Sequence, residues 1–262
     1  MGFDREEFEL QDIAELKGGF AFKSEDYTDG GMFVLRTLNI TDSGRIARDG
    51  ATFVSEEKAK EFDRFALKHH DTLFVMVGAT LGKVGLVKEK DLPALLNQNM
   101  WVIRGDESKV NPLYLNYAFS EESKKMLGWA SGAARDFVRR DDYRKLKITL
   151  PSRKVQDKIA GFVGSVDDKI DLSRRINQTL EAMAQAIFKS WFVDFDPVKA
   201  KIAAKQEGRD PLRAAMSAIS GKPDADLAAL PREEYNQLAA TAALFPDETE
   251  ESELGEIPKG WV

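Results

Sequence analysis

The chain has 262 residues, 43% of them hydrophobic and 31% charged, an ordinary composition for a folded protein with one large core or two modest ones. Cysteine is absent, which excludes disulfides and thiolate metal sites, and no run of about 18 apolar residues offers a membrane-spanning helix. The net charge of −6 excludes a uniformly basic surface of the kind that coats nucleic acid. The charge is uneven, however. Residues 1–150 carry 23 basic and 25 acidic side chains, residues 151–196 seven of each, and residues 197–262 carry 8 basic and 12 acidic ones. Met1–Leu10 holds four acids and no apolar stretch, so it does not read as a secretory signal and a cytoplasmic location is expected.

Residues 1–150 read as short strands and helices. Apolar and β-branched runs at Phe33–Ile40, Thr52–Val54, Thr72–Val77, Val84–Val87, Met100–Ile103 and Leu146–Leu150 predict strands. In the last, Leu146, Ile148 and Leu150 face one way and Lys147 and Thr149 the other. The close spacing predicts a mixed, largely antiparallel sheet. One helix is predicted over Glu56–Phe65, capped by Ser55. A second begins at Asn111-Pro112, with Asn as N-cap and Pro at the first helical position.

After Pro151 a long helix is predicted from Ser152 to about Val193. Its apolar residues Ile159, Phe162 and Val166, then Ile176, Leu180, Met183 and Ile187, advance by threes and fours, the step of a helix–helix seam. Asp167–Asp171 thins that seam and admits a bend or a break. Pro197, Pro211, Pro223 and Pro231 divide an Ala-rich C-terminal region into short helices, followed by an acidic linker over Asp247–Glu256. The fold class is α+β: a largely antiparallel sheet domain (1–150), a long coiled-coil-type helix (151–196) and short C-terminal helices with a linker (197–262).

Catalytic motifs fail on inspection. Gly78-Ala79-Thr80-Leu81-Gly82-Lys83-Val84 is one residue short of a phosphate-binding loop, and Val84 stands where a hydroxyl would hold magnesium. It reads as a turn. Asn111-Pro112-Leu113-Tyr114 lacks the second proline of the adenine-methyltransferase loop and reads as a helix cap. His69 and His70 are the only histidines, and adjacent residues do not converge on one metal. No catalytic residue, metal site or cofactor is expected in this chain.

The segment from Pro151 onward resembles the conserved helical region of type I restriction-modification specificity subunits. Where that family usually has Pro-Leu-x-Glu-Gln, this chain has Arg153-Lys154-Val155-Gln156, keeping the Gln. The likeness continues through Val166-Asp167-Asp168-Lys169-Ile170-Asp171, through Arg174–Gln185, and through Phe188-Lys189-Ser190-Trp191-Phe192-Val193-Asp194-Phe195-Asp196-Pro197. Gly78–Lys83, Asn97-Gln98-Asn99 and Ser131-Gly132 resemble recurring turns of the family's target recognition domains. Leu244–Asp247 and Ser252–Trp261 resemble the bridge to a second such domain. The resemblance implies half of a subunit: one recognition domain and one helical region.

It further implies double-stranded DNA as ligand, and a modification (methyltransferase) subunit and a restriction subunit as partners. Those partners would methylate adenine with S-adenosylmethionine and cleave with ATP. Expected DNA-contacting residues are Arg36, Thr37, Asn39, Thr80, Lys83, Asn97, Gln98, Ser131, Arg135, Arg139 and Arg140. The charged stretch Arg135–Lys147 reads either as phosphate contact or as a solvated face, and Asn97-Gln98 either as base contact or as a turn. Ile159, Phe162, Val166, Ile176, Leu180, Met183, Ile187 and Trp191 are expected to form a helix interface, in a half-length chain with a second copy of itself. Trp191, Phe192 and Phe195 read as core or as a modification-subunit contact. The competing reading is an assembly scaffold for the modification subunit that binds DNA weakly. No membrane partner is expected.

Overall fold

The computed structural model describes residues 5–130, 139–253 and 255–261. The chain divides into two compact units, Met1–Asp168 and Lys169–Val262. In order, the first contains β1 (Arg5–Glu9), α1 (Leu10–Ile13), β2 (Ala14–Gly18), β3 (Tyr27–Thr28), β4 (Met32–Leu35), β5 (Thr52–Val54), α2 (Glu56–Glu61), β6 (Thr72–Val75), β7 (Val84–Leu86), β8 (Ala94–Leu96), β9 (Met100–Gly105), α3 (Pro112–Ala130), α4 (Arg140–Arg144) and β10 (Lys147–Pro151). The helix α5 (Arg153–Phe192) follows without interruption. The second unit holds α6 (Asp196–Gln206), α7 (Pro211–Ser220), α8 (Asp224–Leu227), α9 (Arg232–Ala243) and the hairpin β11 (Thr249–Ser252)–β12 (Gly255–Pro258).

The architecture is α+β with mostly antiparallel sheets. One four-stranded sheet has the order β2-β9-β6-β7 and a second the order β3-β5-β4-β8, in which only β4 and β8 run parallel. The first sheet is apolar on both faces. Leu73, Val75, Met100 and Val102 pack against the second sheet with Phe33, Leu35 and Leu96. Phe74, Trp101 and Ile103 point the other way, towards Leu115 and Phe119 of α3 and Tyr143 of α4. Burial on both faces explains why these strands read as continuous apolar runs. Between sheet and helices the aromatic rings stack closely, with Phe74 4.7 Å from Tyr143 and edge-on to Phe119 at 5.4 Å.

Local signals set several boundaries. The Ser55 hydroxyl accepts from Lys58 N at 3.3 Å and starts α2, and Asn111 Oδ1 accepts from Leu113 N and Tyr114 N at 3.0 Å and starts α3. In β10, Ile148 and Leu150 are buried while Lys147 and Thr149 are exposed, and the strand pairs with β1. The run from Phe33 is shorter than its composition suggests. It ends at Leu35, because Arg36–Asn39 closes a turn in which Asn39 Oδ1 accepts from Arg36 N at 3.0 Å. The helix from Glu56 likewise ends at Glu61 and gives way to a separate tight turn over Asp63–Phe65.

Candidate nucleic-acid interface

Strand order places five distant segments at one pole of the first unit. Leu35 of β4 lies beside Leu96 of β8, and the Asn97 amide continues the ladder by donating to Leu35 O at 3.1 Å. Asn97–Asn99 then turns into β9, whose Met100 faces Val75 at the end of β6. The 76–83 loop leaves from that point and returns to Val84 of β7. On the far side, Gly18 ends β2 opposite Trp101, and Gly19 and Phe20 donate to Met100 O and Leu96 O. Arg140 completes the group: its guanidinium lies 5.9 Å from the Trp101 ring centroid and its tip lies close over Gly18.

The pole therefore gathers Arg36, Thr37, Asn39, Thr80, Lys83, Asn97, Gln98, Arg139 and Arg140, but their side chains are not equally available. Asn39 is fully buried; its Oδ1 serves Arg36 N and its Nδ2 donates to Asp49 O at 3.3 Å. Its amide is thus engaged by the chain's own backbone. Lys83 pairs with Asp42 at 2.6 Å and reaches Ile40 O at 3.5 Å, tying two loops together and holding the Asp42 carboxyl below the usual carboxylate range. Asn97 is buried, whereas Gln98 is exposed. Thr37 and Thr80 are half-buried and Leu38 projects outward. Arg36 sits over the Tyr27 ring at 5.9 Å. Ser131 and Arg135 lie outside the described residues.

The charged stretch beyond Arg135 divides. Arg144 pairs with Asp141 at 3.4 Å and Lys147 with Glu9 at 3.4 Å, the pattern of a solvated face. Arg139 and Arg140 have no carboxylate within 4 Å among the described residues. The sequence reading missed Arg64 and Lys68, which lie on the segment beside β8. The adjacent Arg64-Phe65 pair was the available signal, since the guanidinium lies 4.6 Å from that ring's centroid.

The helix α5 docks at the opposite pole. Gln156, 2% exposed, accepts from Asn111 N at 2.9 Å and donates to Pro151 O at 2.8 Å. Asn111 Nδ2 donates to Asp157 at 2.8 Å, Tyr117 donates to Asp167 at 2.6 Å, and Lys88 donates to Asp168 at 2.9 Å. Desolvation and the Asp167 hydrogen bond hold the Tyr117 phenol above its ordinary range. Asp167 and Asp168 thus anchor the helix at the stretch whose thinned seam admits a bend or a break, and the helix runs through it uninterrupted. Ile170 lies one turn past Val166 and is exposed, so the apolar seam also carries on through this stretch.

Among the described residues that seam is left largely exposed. Ile159, Phe162, Val166, Ile176, Leu180, Met183 and Ile187 are 38–72% exposed. Trp191 behaves differently. It is half-buried and meets Phe245 edge-on at 5.5 Å, in an aromatic cluster where Trp261 stacks on Phe192 at 5.6 Å. Among the described residues no cluster of acidic or histidine side chains suits a metal ion, and no helix is long and apolar enough to cross a membrane.

Comparison with known proteins gives a consistent result. The family model described as the type I restriction modification DNA specificity domain matches residues 4–182. The chain is 36% identical over 212 residues to the type I restriction enzyme HindI specificity subunit of Haemophilus influenzae, covering 75% of this chain and 46% of that protein. It is 23% identical over 189 residues to the MjaVIII specificity subunit of Methanocaldococcus jannaschii, covering 70% and 44%. The chain spans about half the length of these relatives. Among solved structures, the S subunit of a type I restriction-modification system from M. genitalium superposes with a TM-score of 0.53 at 16% identity, over 70% of this chain and 44% of that one, which is a likeness of fold.

Proposed function

The chain belongs to the family of type I restriction modification DNA specificity domains, and from that premise we propose that it reads a short half-site on duplex DNA and directs partner subunits to it. The carrying observation is the pole at which the segments around Gly18, Arg36, Thr80, Gln98 and Arg140 converge. Short loops on a rigid two-sheet scaffold suit base readout, where each good bidentate contact contributes about 1–3 kcal/mol of discrimination. Arg36, Gln98 and Arg139 carry side chains with donors or acceptors available at that pole, whereas Asn39 and Lys83 hold the loops in shape. Adenine methylation and DNA cleavage fall to a modification subunit and a restriction subunit, and the target adenine flips into the partner's pocket.

The exposed seam on α5 supports pairing with a second copy of the chain. Two copies related by a twofold axis would bury Ile176, Leu180, Met183 and Ile187 against one another and read a split palindromic site. Selection of duplexes from a random library by the chain tests the reading. Enrichment of a defined sequence, with affinity falling as salt rises, is the expected outcome. Failure to enrich any sequence favours the scaffold reading, and turnover of S-adenosylmethionine by the chain alone contradicts the division of labour.

A further inference from the structure

A second feature of the first unit concerns what lies beneath the loop pole. The strand β2 is the free edge of its sheet. Between Leu16–Gly19 on that edge and the segment Asp63–Lys68 runs an open cleft of about 690 Å³. Five basic residues line it, Lys17, Arg64, Lys68, Arg104 and Arg140, against the single acid Asp63. Arg104 is held by Asp71, with bonds of 2.7 and 2.6 Å, and Lys17 pairs with Glu15 at 2.8 Å. The Lys68 backbone amide donates to Asp71 at 2.7 Å, but the charged groups of Arg64, Lys68 and Arg140 pair with no carboxylate within 4 Å among the described residues.

By contrast, Lys83, Lys88, Lys109, Arg144 and Lys147 elsewhere in the unit each face a carboxylate. Aromatic rings take the place of acids. Arg64 lies against Phe65 at 4.6 Å and Arg140 against Trp101 at 5.9 Å. A ring face attracts a guanidinium without neutralising its charge, and the fork of N–H donors stays available for an anion. In a chain of net charge −6, three unpaired cations on one cleft repel each other, and a polyanion removes that repulsion.

We propose that this cleft seats the phosphodiester backbone of the DNA whose bases face the loops, with Arg64 and Arg140 as its principal contacts and Lys68 as a third. The inference rests on the DNA-reading proposal and names the backbone site that goes with it. Arg140 belongs both to the loop pole and to the cleft, so the two surfaces are continuous. Arg64 and Arg140 come from separate elements and clasp the same cleft, which sets the register of the duplex under the loops.

The test compares the full chain with Arg64→Gln/Arg140→Gln and with a control, Lys154→Gln/Lys158→Gln, which removes two exposed charges from the start of α5 at the other pole. Each is titrated with the library-selected duplex and with a scrambled duplex over a range of chloride concentrations. The cleft variant is expected to bind both duplexes about tenfold more weakly, by a similar factor, and to flatten the salt dependence by about two units of slope. The control keeps the wild-type slope. An unchanged slope in the cleft variant, or equal flattening in the control, overturns the cleft while leaving the reading loops in place. A wild-type chain that binds neither duplex overturns the DNA reading itself, and the cleft with it.

Discussion

The two faces of α5 invert the usual rule for an amphipathic helix. The face that packs within the chain is polar and small: Gln156 and Ala160 are each 2% exposed, Gly164 lies against Leu113, and Asp157, Asp167 and Asp168 accept hydrogen bonds. The face that points outward is apolar, with Phe162 72% and Leu180 57% exposed. Specific hydrogen bonds fix the helix in one orientation on its own domain, while a non-directional apolar stripe is left for something larger. The stripe steps by three and four residues along the whole helix, as a seam for a second helix does. Exposed apolar surface on this scale is what the proposed self-pairing would cover.

The comparison can be broken at either face. Leu180→Lys with Ile187→Lys is expected to abolish self-association entirely, read by sedimentation velocity at micromolar concentration, while far-ultraviolet circular dichroism remains that of the parent. An unaffected dimer would remove the stripe from the interface. On the docked face, Gln156→Ala orphans the Asn111 amide and the Pro151 carbonyl. It is expected to cost about 2 kcal/mol in chemical denaturation; a change under about 0.5 kcal/mol would mean that water replaces the side chain. Tyr117→Phe removes one hydrogen bond to Asp167 and is expected to cost about 1 kcal/mol, with the proposed self-association unaffected.

The smallest effect is at Asp157, whose carboxyl the Asn111 amide and then Arg153 hold below its ordinary range. A depressed carboxylate stabilises above its unfolded pKa, and that stability is lost as pH falls through the folded value. Asp157→Asn should therefore narrow the gap in melting temperature between neutral pH and about pH 3, and an unaltered acid limb would show the pair to be idle.

Much of this was legible in the sequence, for reasons that differ by residue. Ser55 and Asn111-Pro112 announce helix starts because capping depends on a few neighbouring residues. The alternation of Leu146–Leu150 reports one buried face directly. The α5 periodicity predicted a long helix and a stripe, but no periodicity states which face meets the chain itself. Gln156 stood out through the family resemblance, yet its role depends on Asn111, far away in sequence. The convergence of the loops required the parallel pairing of β4 with β8, a long-range choice that local pattern does not encode. Asn39 illustrates the same limit: an Asn beside Arg36 and Thr37 looks like a reader of base edges until burial shows that it holds its own turn. Arg64 and Lys68 escaped notice because their basic character appears only when the cleft brings Arg140 beside them.

The most direct measurement is methylome sequencing of cells that carry this chain together with a modification subunit of its system. The account predicts methylated adenines in a split, palindromic motif, each half read by one loop pole and the gap set by the paired helices. A continuous asymmetric motif would contradict the paired arrangement, and methylation that does not depend on the chain would contradict its role as reader.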